Sequence, residues 1–135
     1  IENEKMFRIK GEWIVDRKPL FPGYLFVETD NPEDFNYRLR KKYHSLKLLQ
    51  VDGKITPIKL DEEEYLKAIG GKEHIVKYSE GFRIGNRIEI TSGSFAGYKG
   101  RIIKLDRHNR RARLQLPLMG QNVEVEIGLG IVKSL

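Results

Sequence analysis

Gly85-Asn86-Arg87-Ile88-Glu89-Ile90, followed by Gly93-Ser94-Phe95-Ala96-Gly97-Tyr98-Lys99-Gly100-Arg101-Ile102-Ile103, reads as two short β-branched runs separated by a glycine-rich turn. Runs of this composition, bounded by glycine, favour strands over helices. The pattern continues downstream, with strands expected around residues 88–91, 98–105, 112–116 and 123–127, and Ile131-Val132 closing the series. Pro117 and the glycines oppose a helix here, because proline removes a backbone donor and glycine costs backbone entropy. Several short strands in about fifty residues predict a small SH3-like or OB-like β-barrel.

Upstream the texture differs. Phe7, Ile9, Trp13 and Val15 alternate with polar residues, and Gly11 offers a turn, so residues 6–15 read as extended chain. Tyr24-Leu25-Phe26-Val27 is almost wholly apolar and lies between Pro22-Gly23 and Asp30-Asn31-Pro32, which predicts a buried central strand. Asn31 and Pro32 supply an N-cap and a first helical residue. The helix that follows has Phe35, Leu39 and Tyr43 on one face and Arg38, Arg40, Lys41 and Lys42 on the other. Residues 46–51 form a further strand candidate before the Asp52-Gly53 turn. A second helix is expected from Asp61 as N-cap to Gly70-Gly71. The acids Asp61, Glu62, Glu63 and Glu64 fit the positive helix end better than a metal cluster. Residues 70–81 are polar, lack a period and read as a linker.

Charge divides along the chain. Residues 1–81 hold 15 Lys and Arg against 15 Asp and Glu; residues 82–135 hold 10 against 4, so the second part carries the whole net charge of +6. A polyanionic partner for that part and simple solubility both account for this excess. The absence of cysteine excludes disulfides and thiolate metal sites, and fits a reducing, cytoplasmic setting. No apolar run approaches the roughly 20 residues of a membrane span, so a soluble protein without membrane contact is expected.

Pro19-Leu20-Phe21-Pro22-Gly23-Tyr24-Leu25-Phe26-Val27-Glu28 together with the segment 85–103 resembles the NusG family of transcription elongation factors. The resemblance implies an α+β chain: an N-terminal NGN-type α/β sandwich at 1–69, the linker at 70–81, and a KOW domain at 82–135 as a five-stranded SH3-like barrel. The family's first strand and first helix have no counterpart. With Ile1 in place of an initiating Met, this marks the sequence as an expected fragment of a longer protein. Among subfamilies the chain looks like the specialised paralogues of the LoaP or RfaH kind.

The resemblance implies that the first domain docks on the clamp helices of RNA polymerase without covalent chemistry. Phe21, Pro22 and Tyr24 match the part of the motif at that surface, and Ile58 extends it. Phe26 reads as core. Aromatic anchors suit such a surface, because they supply contact area at low entropy cost. Arg38, Arg40, Lys41, Lys42 and His44 form a basic cluster that fits either non-template DNA phosphates or a solvated helix end.

A second cluster, residues 104–113, contains Lys104, Arg107, His108, Asn109, Arg110, Arg111 and Arg113 with one acid, Asp106. Set on a hairpin, its arginines could hold phosphates and guanine edges while His108 and Asn109 add base contacts. An RNA hairpin is the partner this pattern favours, and a solvated basic turn is the alternative. Aromatic platforms for single strands are sparse within 82–135, where Phe95 and Tyr98 read as packing residues.

Where the housekeeping form of the family offers an Ile-Phe-Gly-Arg surface to Rho or the ribosome, this chain has Leu118-Met119-Gly120-Gln121. The change puts that coupling in doubt. A ribosomal KOW-type RNA-binding protein is a remaining alternative, opposed by the 19–28 motif. His44, His74 and His108 share no ligand-like spacing, and no nucleophile, phosphate-loop or dinucleotide motif appears. A monomeric, non-enzymatic protein without cofactor or metal is therefore expected.

Overall fold

In the computed structural model, which describes residues 1–46, 48–118 and 121–134, the chain is α+β. Strands β1 (Glu2–Ile9) and β2 (Glu12–Pro19) form an antiparallel hairpin in which Phe7 faces Ile14 and Arg8 faces Trp13 across the ladder. Lys10 and Gly11 both take positive φ, 51° and 81°, the backbone that matches a two-residue turn to strand twist.

Helix α1 (Pro32–Lys42) starts where expected, with the Asn31 side chain accepting from the Asp34 N–H at 3.1 Å. It buries no residue; Phe35 and Leu39 are half-covered and its basic side chains face out. A second small hairpin, β3 (Gln50–Val51) and β4 (Lys54–Ile55), turns on Asp52 and Gly53. Helix α2 (Leu60–Gly70) departs from expectation at its start. Lys59, not Asp61, is the N-cap, because Glu62 Oε1 accepts from the Lys59 N–H at 3.0 Å and closes the first turn two residues earlier. Gly71, at φ 63°, ends it by donating to the Lys67 carbonyl.

The stretch expected as a linker contains strands. In it β5 (Ile75–Val76) adds in parallel to β1, giving a three-stranded sheet in the order β2-β1-β5, and β6 (Ser79–Ile84) enters the second sheet. Ile75, Val76 and Ser79 are buried, so polar composition concealed a register of inward residues too short to show a period. Residues 24–27 depart in the opposite direction: no strand forms, and Tyr24, Leu25, Phe26 and Val27 are all exposed. The first sheet is made of β2, β1 and β5 alone among the described residues.

The second sheet has β7 (Arg87–Ser92), β8 (Ile102–Asp106), β9 (Arg111–Leu118) and β10 (Gln121–Ser134), ordered β7-β6-β10-β9-β8. The expected closed barrel is not formed: the sheet is open, with β7 and β8 as its edges. The two strands anticipated at 123–127 and 131–132 are one. β10 pairs antiparallel with β9 as far as Gly128, then parallel with β6 from Leu129, so one strand serves two neighbours.

Gly128 sits at this change of partner. A Cβ there would meet the Glu4 carbonyl oxygen and the Tyr78 ring, so its absence lets β1 lie directly on β10. One apolar cluster accordingly joins Leu20, Phe21 and Val76, Leu66 and Ile69 of α2, and the inward residues of the second sheet, among them Phe95, Leu114, Leu116, Ile127 and Leu129. No helix among the described residues is long and apolar enough to cross a membrane.

Candidate nucleic-acid interface

The turn between β8 and β9 is built by Asp106. Its carboxylate accepts the Asn109 N–H at 3.1 Å and the Asn109 side-chain amide at 2.8 Å, and these bonds, the side-chain one foremost, hold the Asp106 carboxyl below its usual range. Arg110 closes the turn at φ 55°, its N–H donating to the Arg107 carbonyl and its own carbonyl accepting from Leu129 N–H. Asn109 thus commits an amide donor to the turn itself while remaining exposed.

Apart from Asn109, the residues expected to act together separate into two groups of three. Lys104, Arg107 and His108 are exposed and carry no ion pair with Glu124 or Glu126. Arg110, Arg111 and Arg113 turn toward the rest of the chain. The Arg110 guanidinium lies 4.2 Å from the Trp13 ring centroid, and that of Arg111 lies 4.6 Å from Phe7. Arg8 and Lys18 approach the same rings at 5.8 and 5.5 Å. Such stacking contributes roughly 0.5–2 kcal/mol per pair, more as water is excluded.

Glu126 on β10 is the acid beneath this group, with Lys5 Nζ at 2.9 Å, Arg111 at 3.4 Å and Arg113 at 3.8 Å; Arg113 also reaches Glu124 at 4.0 Å. Burial alone would raise the Glu126 carboxyl. The hydrogen bond from Lys5 and the charges of Lys5, Arg111 and Arg113 together outweigh it, and the group is held below its ordinary value.

Sequence reasoning missed that Phe7 and Trp13, far upstream, are the aromatic platforms of this hairpin. Their alternation marked them as strand residues, but only the approach of β1 to β10 brings them to the basic turn. Phe95 and Tyr98 are packing residues, as read. Phe95 is buried, Tyr98 meets it edge-on at 5.9 Å, and the Tyr98 hydroxyl donates to the Gln115 carbonyl at 2.8 Å.

The α1 cluster stays together at the helix end, all of it exposed. Arg38 pairs with Asp34 at 3.1 Å, Lys41 covers Tyr37 at 4.5 Å and Lys42 approaches Tyr43 at 5.7 Å, while Arg40 and His44 face solvent. The expected polymerase contacts divide. Tyr24 is 67% exposed and Pro22 is exposed, but Phe21 is only 6% exposed and Ile58 leans on the core. Phe21, read as an exposed contact, is buried, and Phe26, read as core, is partly exposed. Phe21 follows Leu20 into the cluster, and Phe26 rests edge-on against it at 5.2 Å with 37% of its surface exposed. Without a strand at 24–27 there is no inward side for Phe26 to occupy. Of the loop 118–121, Leu118 is buried and Gln121 exposed; Met119 and Gly120 lie outside the described residues.

The KOW motif matches residues 84–126, a span holding β7, β8, the basic turn and β9. Over most of its length the chain is also similar to proteins named transcription termination/antitermination protein NusG. That of Thermus thermophilus is 25% identical over 133 residues, covering 92% of this chain and 72% of its own. That of Treponema pallidum is 26% identical over 146 residues, covering 100% and 78%. That of Rickettsia typhi is 23% identical over 128 residues, covering 93% and 66%. The similarity to NusG proteins thus runs over nearly the whole chain. Within the KOW match, the glycines of the 93–100 loop have local causes. Gly93 and Gly97 take positive φ, and a Cβ on Gly100 would strike the Tyr98 phenol.

Proposed function

We propose that this NusG-family protein is a non-enzymatic transcription elongation or antitermination factor that holds RNA polymerase through its N-terminal part and an RNA hairpin through the β8–β9 turn. The observation that carries the nucleic-acid half is the turn: Lys104, Arg107 and His108 project from a hydrogen-bonded support, outside the ion-pair network of Glu124 and Glu126. Cations on a rigid support meet phosphates at a lower entropic cost than cations on a loose loop. The polymerase half rests on exposed Tyr24 and Pro22 within the motif that resembles the family's clamp-binding surface. The α1 cations, exposed together at one helix end, are assigned to non-template DNA in the same complex. Gln121, exposed where the housekeeping form has the arginine of its Rho- and ribosome-binding surface, favours a specialised factor of the LoaP or RfaH kind.

The test is binding of the full chain to RNA stem-loops, duplex DNA and single strands across a salt series, beside a Lys104→Ala/Arg107→Ala variant. Tight binding of one stem-loop, lost in the variant, supports the reading. Equal weak binding to every nucleic acid, vanishing with salt, contradicts it. For the polymerase half, Tyr24→Ala should weaken copurification with core polymerase, and strong retention on Rho would favour the housekeeping alternative.

A further inference from the structure

We propose that the cleft between the β1–β2 hairpin and the β8–β9 turn is a binding site for an unpaired nucleotide, with the base stacked on Trp13 and its flanking phosphates on Arg8, Lys18 and Arg111. The proposal rests on the nucleic-acid reading above and adds a second, base-stacking contact to it.

The cleft measures about 440 Å³, within the range of roughly 300–1,000 Å³ typical of small-ligand sites. Phe7, Trp13, Ile9 and Ile14 give it an apolar lining, and Arg8, Lys18 and Arg111 set three cations against one acid, Asp16. Neither half of this lining stands alone. The aromatic residues come from β1 and β2, whereas Arg111 and Asn109 come from the basic turn, and the close approach at Gly128 joins them. An acidic peptide would use the cations but has no need of two flat rings. A nucleotide uses both, and base–aromatic stacking contributes about 1–3 kcal/mol per base.

Existing contacts fit the exchange. Guanidinium groups stack on aromatic rings as bases do, and the contact of Arg8 with Trp13 at 5.8 Å is looser than that of Arg110 at 4.2 Å. An entering base takes the place of Arg8, which turns to a phosphate, while Arg110 stays on the ring. Arg111 Nε is buried with no acceptor among the described residues, although its Nη1 reaches Glu126. A phosphate oxygen arriving at the cleft offers that group an acceptor with a small side-chain shift. An RNA loop and a single DNA strand share this chemistry.

Trp13 is the single tryptophan of the chain, so it reports on its own site. The full chain would be titrated with a uridine decamer, the thymidine decamer and a blunt RNA duplex while intrinsic fluorescence is followed, with anisotropy of labelled strands as the second readout. The expected result is quenching by the single strands and not by the duplex. Trp13→Ala should weaken single-strand binding about 5- to 150-fold, the equivalent of one stacking contact, and Trp13→Phe should restore most of it. Arg8→Glu, at an exposed position, keeps the test open if Trp13→Ala fails to fold, and should weaken the same binding. Preference for the RNA or the DNA decamer identifies the source of the nucleotide. Unchanged or tighter single-strand binding in Trp13→Ala and Arg8→Glu overturns the proposal. If those variants bind normally while Lys104→Ala/Arg107→Ala loses a stem-loop, the cleft falls and the basic turn stands. If the wild-type chain binds no nucleic acid, both fall.

Discussion

Lys5 Nζ lies 2.9 Å from Glu126 Oε1, linking the central strand of the first sheet to the longest strand of the second. Lys5 is 12% and Glu126 32% exposed, so the pair is partly shielded from water and from salt. It is one of the few polar ties across a junction that is otherwise apolar contact and arginine stacking.

This pair gives the fold an acid limb. The Glu126 carboxyl is held below its ordinary value of 4.5. A group whose folded pKa is depressed contributes stability above its unfolded pKa and loses it as pH falls through the folded one. Urea unfolding should therefore show Glu126→Gln less stable than wild type by about 1 kcal/mol at neutral pH. The gap should close as the pH drops below 4.5. A gap of constant size down to strong acid would show that Glu126 acts through shape and not charge.

Gly128 should be the least replaceable glycine of the junction. Its missing Cβ is the space taken by the Glu4 carbonyl, and backbone cannot rotate aside as a side chain can. Gly128→Ala is expected to cost about 1–3 kcal/mol, the usual range for overpacking. Hydrogen exchange should place the loss along β1 and the middle of β10. Ala at Gly53, where a Cβ meets nothing within 4 Å but φ is 77°, should instead disturb only the β3–β4 turn.

Phe21 and Tyr24, three residues apart, should respond oppositely. Phe21→Ala empties part of the shared cluster and is expected to cost about 3–5 kcal/mol. Tyr24→Ala removes an exposed ring and should change stability by no more than about 0.5 kcal/mol. A loss of polymerase binding in Tyr24→Ala, at unchanged melting temperature, would then be read as a lost contact. The same loss in Phe21→Ala would be confounded by unfolding, which makes Tyr24 the informative position.

The parts of the fold that were legible in sequence are those with local causes. Asn31-Pro32 starts α1, Asp52-Gly53 turns a hairpin, and the alternation of residues 123–127 marks part of β10, because caps, turns and period-two burial act within a few residues. What stayed hidden depends on partners. Residues 24–27 look like a central strand in isolation, yet the first sheet is assembled from β2, β1 and β5 without them. Arg107 and Arg110 are chemically alike in the sequence. The structure leaves one in solvent and lays the other on Trp13, and that difference arises from a contact spanning nearly a hundred residues.

The same difference predicts unequal salt behaviour. Each phosphate neutralised by a cation contributes about −0.7 to −0.9 to the slope of log K against log salt. Arg107 is exposed and can give its full charge to a phosphate, so Arg107→Ala should flatten the slope by roughly one such increment. Arg113 is also exposed, but it already pairs with Glu124 at 4.0 Å and shares Glu126 at 3.8 Å. Arg113→Ala should leave the slope nearly unchanged while slightly weakening the fold. The measurement is stem-loop affinity at four or more salt concentrations for wild type and both variants. Equal slopes for Arg107→Ala and wild type would mean that the turn meets no phosphate. An equal drop for both arginines would mean that nucleic acid draws Arg113 away from its glutamates, and that the network around Glu126 opens on binding.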